Sequence, residues 1–315
     1  MYSCSSTCCL KNSFATRLDF SPVTLADKLW IDRLLKLSDS QHSAACFANI
    51  LFWSKTFDYK AAAMGNYLIL KLSYNGMPYY AYPMGAGDIA PVFAQLLSEA
   101  SADGSPLRFL GLSEANKAEL EAHFPGAFTF ETDSAISDYI YTSEKLANLA
   151  GKKLSSKRNH INRFIEQNPD WSFAPITAEN LPACREMLRK WLDAREDSAE
   201  FSDELSALSL AFSHFDTLGL AGGMLYAGGE VIAFTIGEVL NSNTYIVHFE
   251  KAFAHIQGAY PMINREFVRH VLSMHPHIEY INREEDMGIE SLQKAKRSYY
   301  PDILAAKYTA SWSAL

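Results

Sequence analysis

The stretch from Asn243 to Arg269, NTYIVHFEKAFAHIQGAYPMINREFVR, changes hydrophobic period in its middle, and this limits what can surround it. In the first third, Tyr245, Val247 and Phe249 fall on one side of a strand and Ile246, His248 and Glu250 on the other, a period of two. In the last third, Tyr260, Ile263, Phe267 and Val271 follow the i, i+3, i+4 spacing of a helix with one buried stripe. Pro261 stands in the first turn, which tolerates a residue without an N–H. Gln257-Gly258-Ala259 joins the two, and small residues there bare the free N–H groups of a helix N-terminus, a place to hold phosphate without a basic side chain. The stretch therefore predicts a strand, a short Gly-containing loop and a helix. It is either an anion cradle beside a strand edge carrying His248 and Glu250, or an ordinary strand-turn-helix connection.

The chain has 315 residues, 48% hydrophobic and 20% charged, enough for sizeable cores and, by length, about two domains. A net charge of -8 argues against a surface that binds nucleic acid throughout, while leaving room for a local basic patch. No apolar run approaches the roughly 18 to 20 residues that span a bilayer. The opening MYSCSSTCCL has neither a basic start nor a long apolar stretch, so no secretory signal is expected and the cytoplasm is the expected compartment. Cys4, Cys8 and Cys9 lack the spacing and the nearby His of a metal site and read as a thiol-bearing tail, whereas Cys46 and Cys184 read as core residues.

Along the chain, Phe20 to about Leu51 is helical in pattern, with Leu25, Leu29, Ile31, Leu34 and Leu35 apolar. Tyr67 to Tyr74 and Met77 to Tyr82 are strands around Asn75-Gly76, the pair a type I′ hairpin prefers. In the following PMGAGD loop, Asp88 is placed to cap a helix from Ile89 to Ala100, which disfavours phosphate there. A strand (Leu107 to Leu112), a helix (Glu114 to Phe124) and the strands FTFE and DYIYT complete the first half. The second half repeats the order: helices bearing Leu181 to Leu192 and Asp203 to Phe215, then a hairpin from Gly223 to Glu238 turning at Gly228-Gly229. The period-switching stretch follows, then a strand (His277 to Ile281), a helix (Ile289 to Tyr299) and a closing strand from Ile303 to Ala310.

Two further segments carry candidate chemistry. GKKLSSKRNHINRF places Leu154, Ile161 and Ile165 on one stripe of a helix, with Lys152, Lys153, Lys157, Asn159, His160 and Arg163 on the remainder. Arg158 falls inside the apolar stripe, where a guanidinium needs a partner or a ligand. This is either a solvated face or an anion site. INREEDMGIESLQKAKRSYYP puts Glu284, Glu285 and Asp286 at a strand end, to hold a cationic amine, to tune a base or, for Asp286, to cap the next helix. On that helix Lys296 shares the buried face with Ile289, Leu292 and Tyr299, so it is a phosphate or carboxylate ligand or pairs with the acidic loop. Tyr299 and Tyr300 either pack or place a phenol to protonate a leaving group.

GKKLSSKRNHINRF, VHFEKA with QGAY, and INREEDMG with LQKAKRSYYP, in that order, resemble the bacterial family related to the C-terminal domain of phosphatidylglycerol lysyltransferase. The resemblance runs from about Phe20 onward and implies an α/β (α+β) chain of two tandem GNAT-like domains, with mixed, mostly antiparallel sheets flanked by helices. The implied division is a tail at 1–19, an N-terminal domain at 20–150 and a catalytic domain at 151–315. Known members transfer an aminoacyl group from aminoacyl-tRNA to a lipid, and Fem-type enzymes transfer it to a peptidoglycan precursor. The resemblance thus implies an acyl or aminoacyl transferase, with aminoacyl-tRNA as donor and an amine or hydroxyl acceptor. An acyl-CoA-dependent N-acetyltransferase and a non-catalytic module binding tRNA or a metabolite are the alternatives. No membrane domain is expected, and of the pyrophosphate-loop pattern R/Q-x-x-G-x-G/A the sequence keeps only Gln257-Gly258-Ala259, which weighs against acetyl-CoA.

In these terms His248, Glu250 and Tyr299 are expected to be catalytic. Gln257, Gly258, Ala259, Tyr260, Lys296, Arg158, Lys157 and Lys153 are expected at the donor or phosphate, and Glu284, Glu285 and Asp286 at the acceptor or amine. No covalently bound cofactor and no metal is expected. Acyl-CoA or aminoacyl-tRNA is the donor, tRNA a partner, and the acceptor a small molecule, a peptide or a lipid.

Overall fold

The computed structural model describes residues 17–193 and 202–313, so the expected thiol-bearing tail with Cys4, Cys8 and Cys9 lies outside the described residues. The first part of the chain forms β1 (Ser21–Pro22), α1 (Lys28–Ser38), α2 (Phe47–Phe52), β2 (Lys60–Met64), β3 (Tyr67–Tyr74), β4 (Met77–Ala81) and β5 (Met84–Gly85). It continues with α3 (Ala90–Ala102), β6 (Arg108–Leu112), α4 (Glu114–His123), β7 (Phe128–Thr132) and β8 (Asp138–Thr142). Then follow α5 (Ser143–Asn148), α6 (Ser155–Gln167), β9 (Ser172–Pro175), α7 (Leu181–Asp193), α8 (Ser202–Ser213), α9 (Phe215–Leu218), β10 (Ala221–Ala227) and β11 (Glu230–Val239). The chain ends with β12 (Thr244–Ala252), α10 (Ala259–Met274), β13 (Tyr280–Asn282), α11 (Glu290–Arg297), β14 (Ile303–Ala305) and β15 (Tyr308–Trp312).

Both expected hairpins form for the expected reason. Asn75 and Gly76 have φ of 51° and 74°, and Gly228 and Gly229 have 59° and 77°, the double positive φ of a type I′ turn, between the paired ends Tyr74↔Met77 and Ala227↔Glu230. Asp88 accepts from Ala90 N at 3.1 Å, but the helix begins one residue later than expected, so Ile89 and not Asp88 is its N-cap. The helix expected over residues 20–51 is broken after Ser38, where Asp39 takes a left-handed φ of 45°, and Leu29, placed on the apolar stripe, is 86% exposed.

The fold class is the expected one: two mixed sheets, mostly antiparallel, flanked by helices. The first runs β1-β2-β3-β4-β6-β15-β7, with β5 also on β3, and the second β14-β8-β13-β12-β11-β10-β9. Each contains one parallel pair, β4 with β6 and β12 with β13, and in each the two strands are joined through a helix. The sheets also exchange a strand. β8 leaves the first sheet's β7 to lie between β13 and β14, and β15 leaves the second sheet's β14 to lie between β6 and β7. Neither sheet is therefore a contiguous piece of chain: β8, inside 20–150, belongs to the second sheet and β15, inside 151–315, to the first. The single closing strand expected over Ile303 to Ala310 is two strands, because the chain crosses between sheets at Ala306-Lys307.

Three apolar clusters follow from this arrangement. One lies in the first half around Phe93, Phe109 and Leu112. Another packs α6 and α10 on the second sheet through Ile161, Phe164, Ile263, Phe267 and Tyr245. The third joins the halves, with Leu34, Phe52 and Leu70 from one and Trp191, Phe234 and Phe249 from the other.

β12 departs from simple alternation. Its register with β11 runs Ile236↔Phe249 and then Gly237↔Val247, so His248 is an extra residue, a β-bulge. A bulge turns two successive side chains to one side and reverses the phase beyond it. His248 and Phe249 both meet the Phe52 ring, at 5.5 Å between centroids in each case, while Tyr245 and Val247 pack with α10. The expectation that His248 and Glu250 share a face is corrected here: the inserted residue separates them.

Candidate active site

The pairing of β12 with β13 covers Thr244 to Ile246 and Tyr280 to Asn282 and stops there. Beyond it the two strands carry a charged cluster. Glu250 Oε1 lies 2.9 Å from Arg283 Nη2, and Glu250 Oε2 accepts from Asn264 Nδ2 of α10 at 3.1 Å. The Arg283 guanidinium is 5.1 Å from the Tyr299 ring and 5.9 Å from that of Tyr141. Lys157 of α6 also sits over the Tyr299 ring, its Nζ 4.1 Å from the centroid. The side chains of Glu250 and Arg283 are 11% and 10% exposed, so this pair acts in a mostly dry environment.

Two cations face one carboxylate in this cluster. Burial, and then the charge of Arg283, push the Lys157 ammonium down to about 8 against the pull of Glu250. Arg283 Nη1 and Asn264 Oδ1 are buried with no hydrogen-bond partner. A donor left over on a buried guanidinium, with one positive charge in excess, is suited to an anionic oxygen. Tyr299 is 4% exposed, and burial holds its phenol well above its ordinary value, so it stays protonated at neutral pH.

The expected donor residues divide sharply. Lys157 turns inward as described, while Lys153 is exposed, 5.4 Å over Tyr300. Arg158 donates to Leu149 O and, at 2.8 Å, to Gly151 O; it ties down the end of α5 and is not placed for a ligand. Lys296 is buried and gives its ammonium to the backbone carbonyls of Arg283 at 2.6 Å, of Glu284 at 3.2 Å and of Glu285, so it holds the acidic loop through its backbone and is no phosphate ligand. Burial first, and Arg283 next, bring it down to about 8. At the loop before α10, Gln257 is exposed and Tyr260 is 37% exposed, outside the buried stripe assigned to it. Ala259 N donates to Ile256 O at 3.2 Å and Pro261 has no N–H, so the cradle is narrower than expected. Gly258, with φ of 85°, serves packing instead. A Cβ there would lie 2.3 Å from His160 O, so its smallness lets α6 and α10 touch.

The three neighbouring carboxylates also part. Glu284, at a left-handed φ of 56°, accepts from Asn49 Nδ2 at 3.1 Å and meets His248 Nδ1 at 2.9 Å. Glu285 pairs with Lys307 at 3.1 Å. Asp286 is buried, accepting from Tyr139 OH at 2.6 Å and Gly288 N at 2.9 Å; it braces its own loop and is closed to an amine. His248, with its side chain 1% exposed, is too enclosed to take a proton from a substrate.

Between the halves lies a cavity of about 920 Å³, and sequence reasoning missed two residues of its polar wall, Asp138 and Lys307. It is lined by Trp53, Tyr59, Tyr67 and Tyr82 and, on its polar wall, by Asp138, Glu285 and Lys307. Lys307 Nζ lies 2.7 Å from Asp138 and 3.1 Å from Glu285, and donates to Ser43 Oγ at 2.9 Å. Burial would lower this ammonium, but the two carboxylates hold it well above its ordinary value; burial, partly opposed by Lys307, raises Glu285. Burial and the charge of Lys307 bring nearby His42 down to about 4, so it is neutral. The signal in the sequence was a lysine in the apolar run ILAAKYTA, which needs a buried partner. Arg283 and Glu285 lie two residues apart on one segment, the first in the charged cluster and the second on the cavity wall.

No helix among the described residues is long and apolar enough to cross a membrane. The chain is 26% identical over 175 residues to an uncharacterised protein of Mycoplasmoides gallisepticum, covering 55% of each, so it spans about half the length of the curated relative it matches. Among solved structures it is similar to a conserved protein of unknown function from Bacteroides thetaiotaomicron, at 38% identity and a TM-score of 0.87 over 94% of this chain and all (100%) of that one. It is similar in fold to L-PGS from Bacillus licheniformis, at 17% identity and a TM-score of 0.57 over 82% of this chain and 86% of that one. The family model described as phosphatidylglycerol lysyltransferase, C-terminal, matches residues 35–311, most of the chain, and the protein belongs to that family.

Proposed function

We propose that the protein is an acyl-group transferase that takes an aminoacyl group from aminoacyl-tRNA and passes it to an amine or hydroxyl acceptor. The observation that carries this reading is the Lys157–Arg283–Glu250 cluster, with two cations, one carboxylate and an unused guanidinium N–H at the splayed edge of β12 and β13. Transfer from an activated ester needs proximity, a donor to the developing oxyanion and a proton acceptor. Arg283 Nη1 is the donor to the oxyanion or to a terminal phosphate of the donor substrate. Lys157, with its ammonium brought to about 8, supplies positive charge below that pH and accepts a proton above it. Glu250, itself held by Asn264, fixes the guanidinium. The acceptor occupies the cavity on the far side of the Arg283–Glu285 segment, where Glu285 meets a cationic acceptor or draws the proton of a hydroxyl one.

The test is single-turnover transfer from charged tRNA, with acyl-CoA in a parallel reaction, using wild type, Arg283→Lys and Lys157→Met. Transfer from charged tRNA that falls at least about 100-fold in Arg283→Lys supports the reading, since one oxyanion donor contributes about that factor. Transfer from acyl-CoA alone would replace the donor, and wild-type rates in both variants would remove the site.

A further inference from the structure

We propose that Cys46, Glu238 and His248 form a zinc-type metal site that pins the two halves together, with Glu284 orienting the histidine. The three side chains come from different places in the fold: Cys46 is the N-cap of α2, Glu238 is on β11, and His248 is the bulge residue of β12. Their ligand atoms all lie within 4.8 Å of one another. His248 Nε2 is 3.1 Å from Glu238 Oε1, close to the roughly 3.3 Å between N and O ligands on one tetrahedral zinc with bonds of about 2.0 Å. The other ring nitrogen, Nδ1, faces Glu284 Oε1 at 2.9 Å, and Asn49 Nδ2 holds that carboxylate at 3.1 Å. A histidine with one nitrogen on a carboxylate and the other on a donor cluster is the usual arrangement behind a metal.

The exchange balances in protons and in charge. With both ring nitrogens facing carboxylates, the imidazole carries two protons, and Cys46 Sγ donates weakly to Ser43 O at 3.5 Å. One divalent ion displaces the Nε2 proton and the thiol proton, two H⁺ leaving to solvent, and bonds form to Nε2, the thiolate and the Glu238 oxygen. The net charge of the buried site is unchanged. Thiolate with imidazole and carboxylate selects zinc or cobalt over magnesium or calcium, and three protein ligands leave a fourth position for water. The bulge brings Phe249 to the same side as His248, so that both pack on Phe52 beside the three ligands. Cys46 lies in the first half and the other two in the second, so the ion would cross-link the halves beside the apolar cluster they share.

The experiment uses the full chain with Cys4, Cys8 and Cys9 replaced by Ser, stripped with chelator and titrated with Zn²⁺ or Co²⁺. One equivalent bound per chain, a thiolate-to-cobalt charge-transfer band and a raised melting temperature are expected. Cys46→Ser should abolish the band, and Glu284→Gln should weaken binding about 10- to 100-fold, as loss of a carboxylate behind a metal-bound histidine does. Glu238→Gln stands in for Cys46→Ser if the latter does not fold. No stoichiometric uptake at micromolar metal, or a band that persists in both ligand variants, overturns the site.

Discussion

Gly258 offers a direct measurement of how α6 and α10 are held together, because two separate penalties attach to giving it a side chain. Its φ of 85° is left-handed, which costs an L-residue about 1 to 2 kcal/mol. Its added Cβ would also lie 2.3 Å from His160 O and 2.9 Å from Phe164 Cβ, so one helix must back away from the other. Forcing atoms into a packed interior costs a further 1 to 3 kcal/mol, roughly. Gly258→Ala should therefore lose about 2 to 5 kcal/mol. The control is Gly228→Ala at the β10–β11 turn, where φ is 59° and nothing lies within 4 Å of the new Cβ; it should lose the conformational share alone. Urea unfolding of both variants gives the difference, and at about 2 °C per kcal/mol for a chain of this size the melting temperatures should separate by several degrees. Equal losses in the two variants would mean that the helix contact contributes nothing, and Gly258 would return to the role of a phosphate-loop glycine.

Other outcomes follow from the corrected strand faces and from the charged cluster. Phe249→Ala, which empties a site between the halves, should cost about 3 to 5 kcal/mol in chemical denaturation. Glu250→Gln leaves Arg283 buried without its counter-ion and should cost about 3 kcal/mol as well as activity; an unchanged melting temperature would show the pair to be dispensable. Lys157 is held at about 8 in the fold against 10.5 in the free chain, so the penalty for burying its charge is complete below pH 8 and fades between 8 and 10.5. The gain in stability from Lys157→Met should shrink over that window, and the affinity of wild type for an anionic donor should fall as pH passes about 8, measured by thermal shift and by titration with donor.

The sequence made local features legible where one residue type decides the backbone. Asn75-Gly76 and Gly228-Gly229 specify their hairpins through φ, and Asp88 takes up the first N–H of the helix after it, though Ile89 is the N-cap. The period switch in β12 and α10 correctly separated strand from helix, and the resemblance pointed to the family. What failed was the side-chain direction after His248, since a one-residue bulge leaves no mark in a hydrophobic pattern yet reverses every face beyond it. Arg158 and Lys296 were suspected because they stood on buried stripes. Both are satisfied by carbonyls, which a reading of side-chain types cannot count. The charged wall of the cavity was hidden for a topological reason: Lys307 lies on one chain crossing between the sheets and Asp138 starts the strand that follows the other.

That exchange also explains why the charged groups concentrate where they do. A strand that leaves one sheet for the other must carry its backbone across the space between cores, and the crossing residues cannot all be apolar because their peptide groups and turns need polar partners. Lys307 sits on one crossing, and Asp138 starts the strand that follows the other. Their ion pair at 2.7 Å joins the two crossings, and Glu285 adds the segment that follows β13. An ion pair at this depth adds little net stability, because desolvation offsets attraction, but it strongly penalises any arrangement in which one strand returns to its own sheet and leaves a buried charge alone. The crossings thus both fix the register of the exchange and line the cavity with charge. The same path of the chain that ties the halves together builds the wall against which an acceptor would bind.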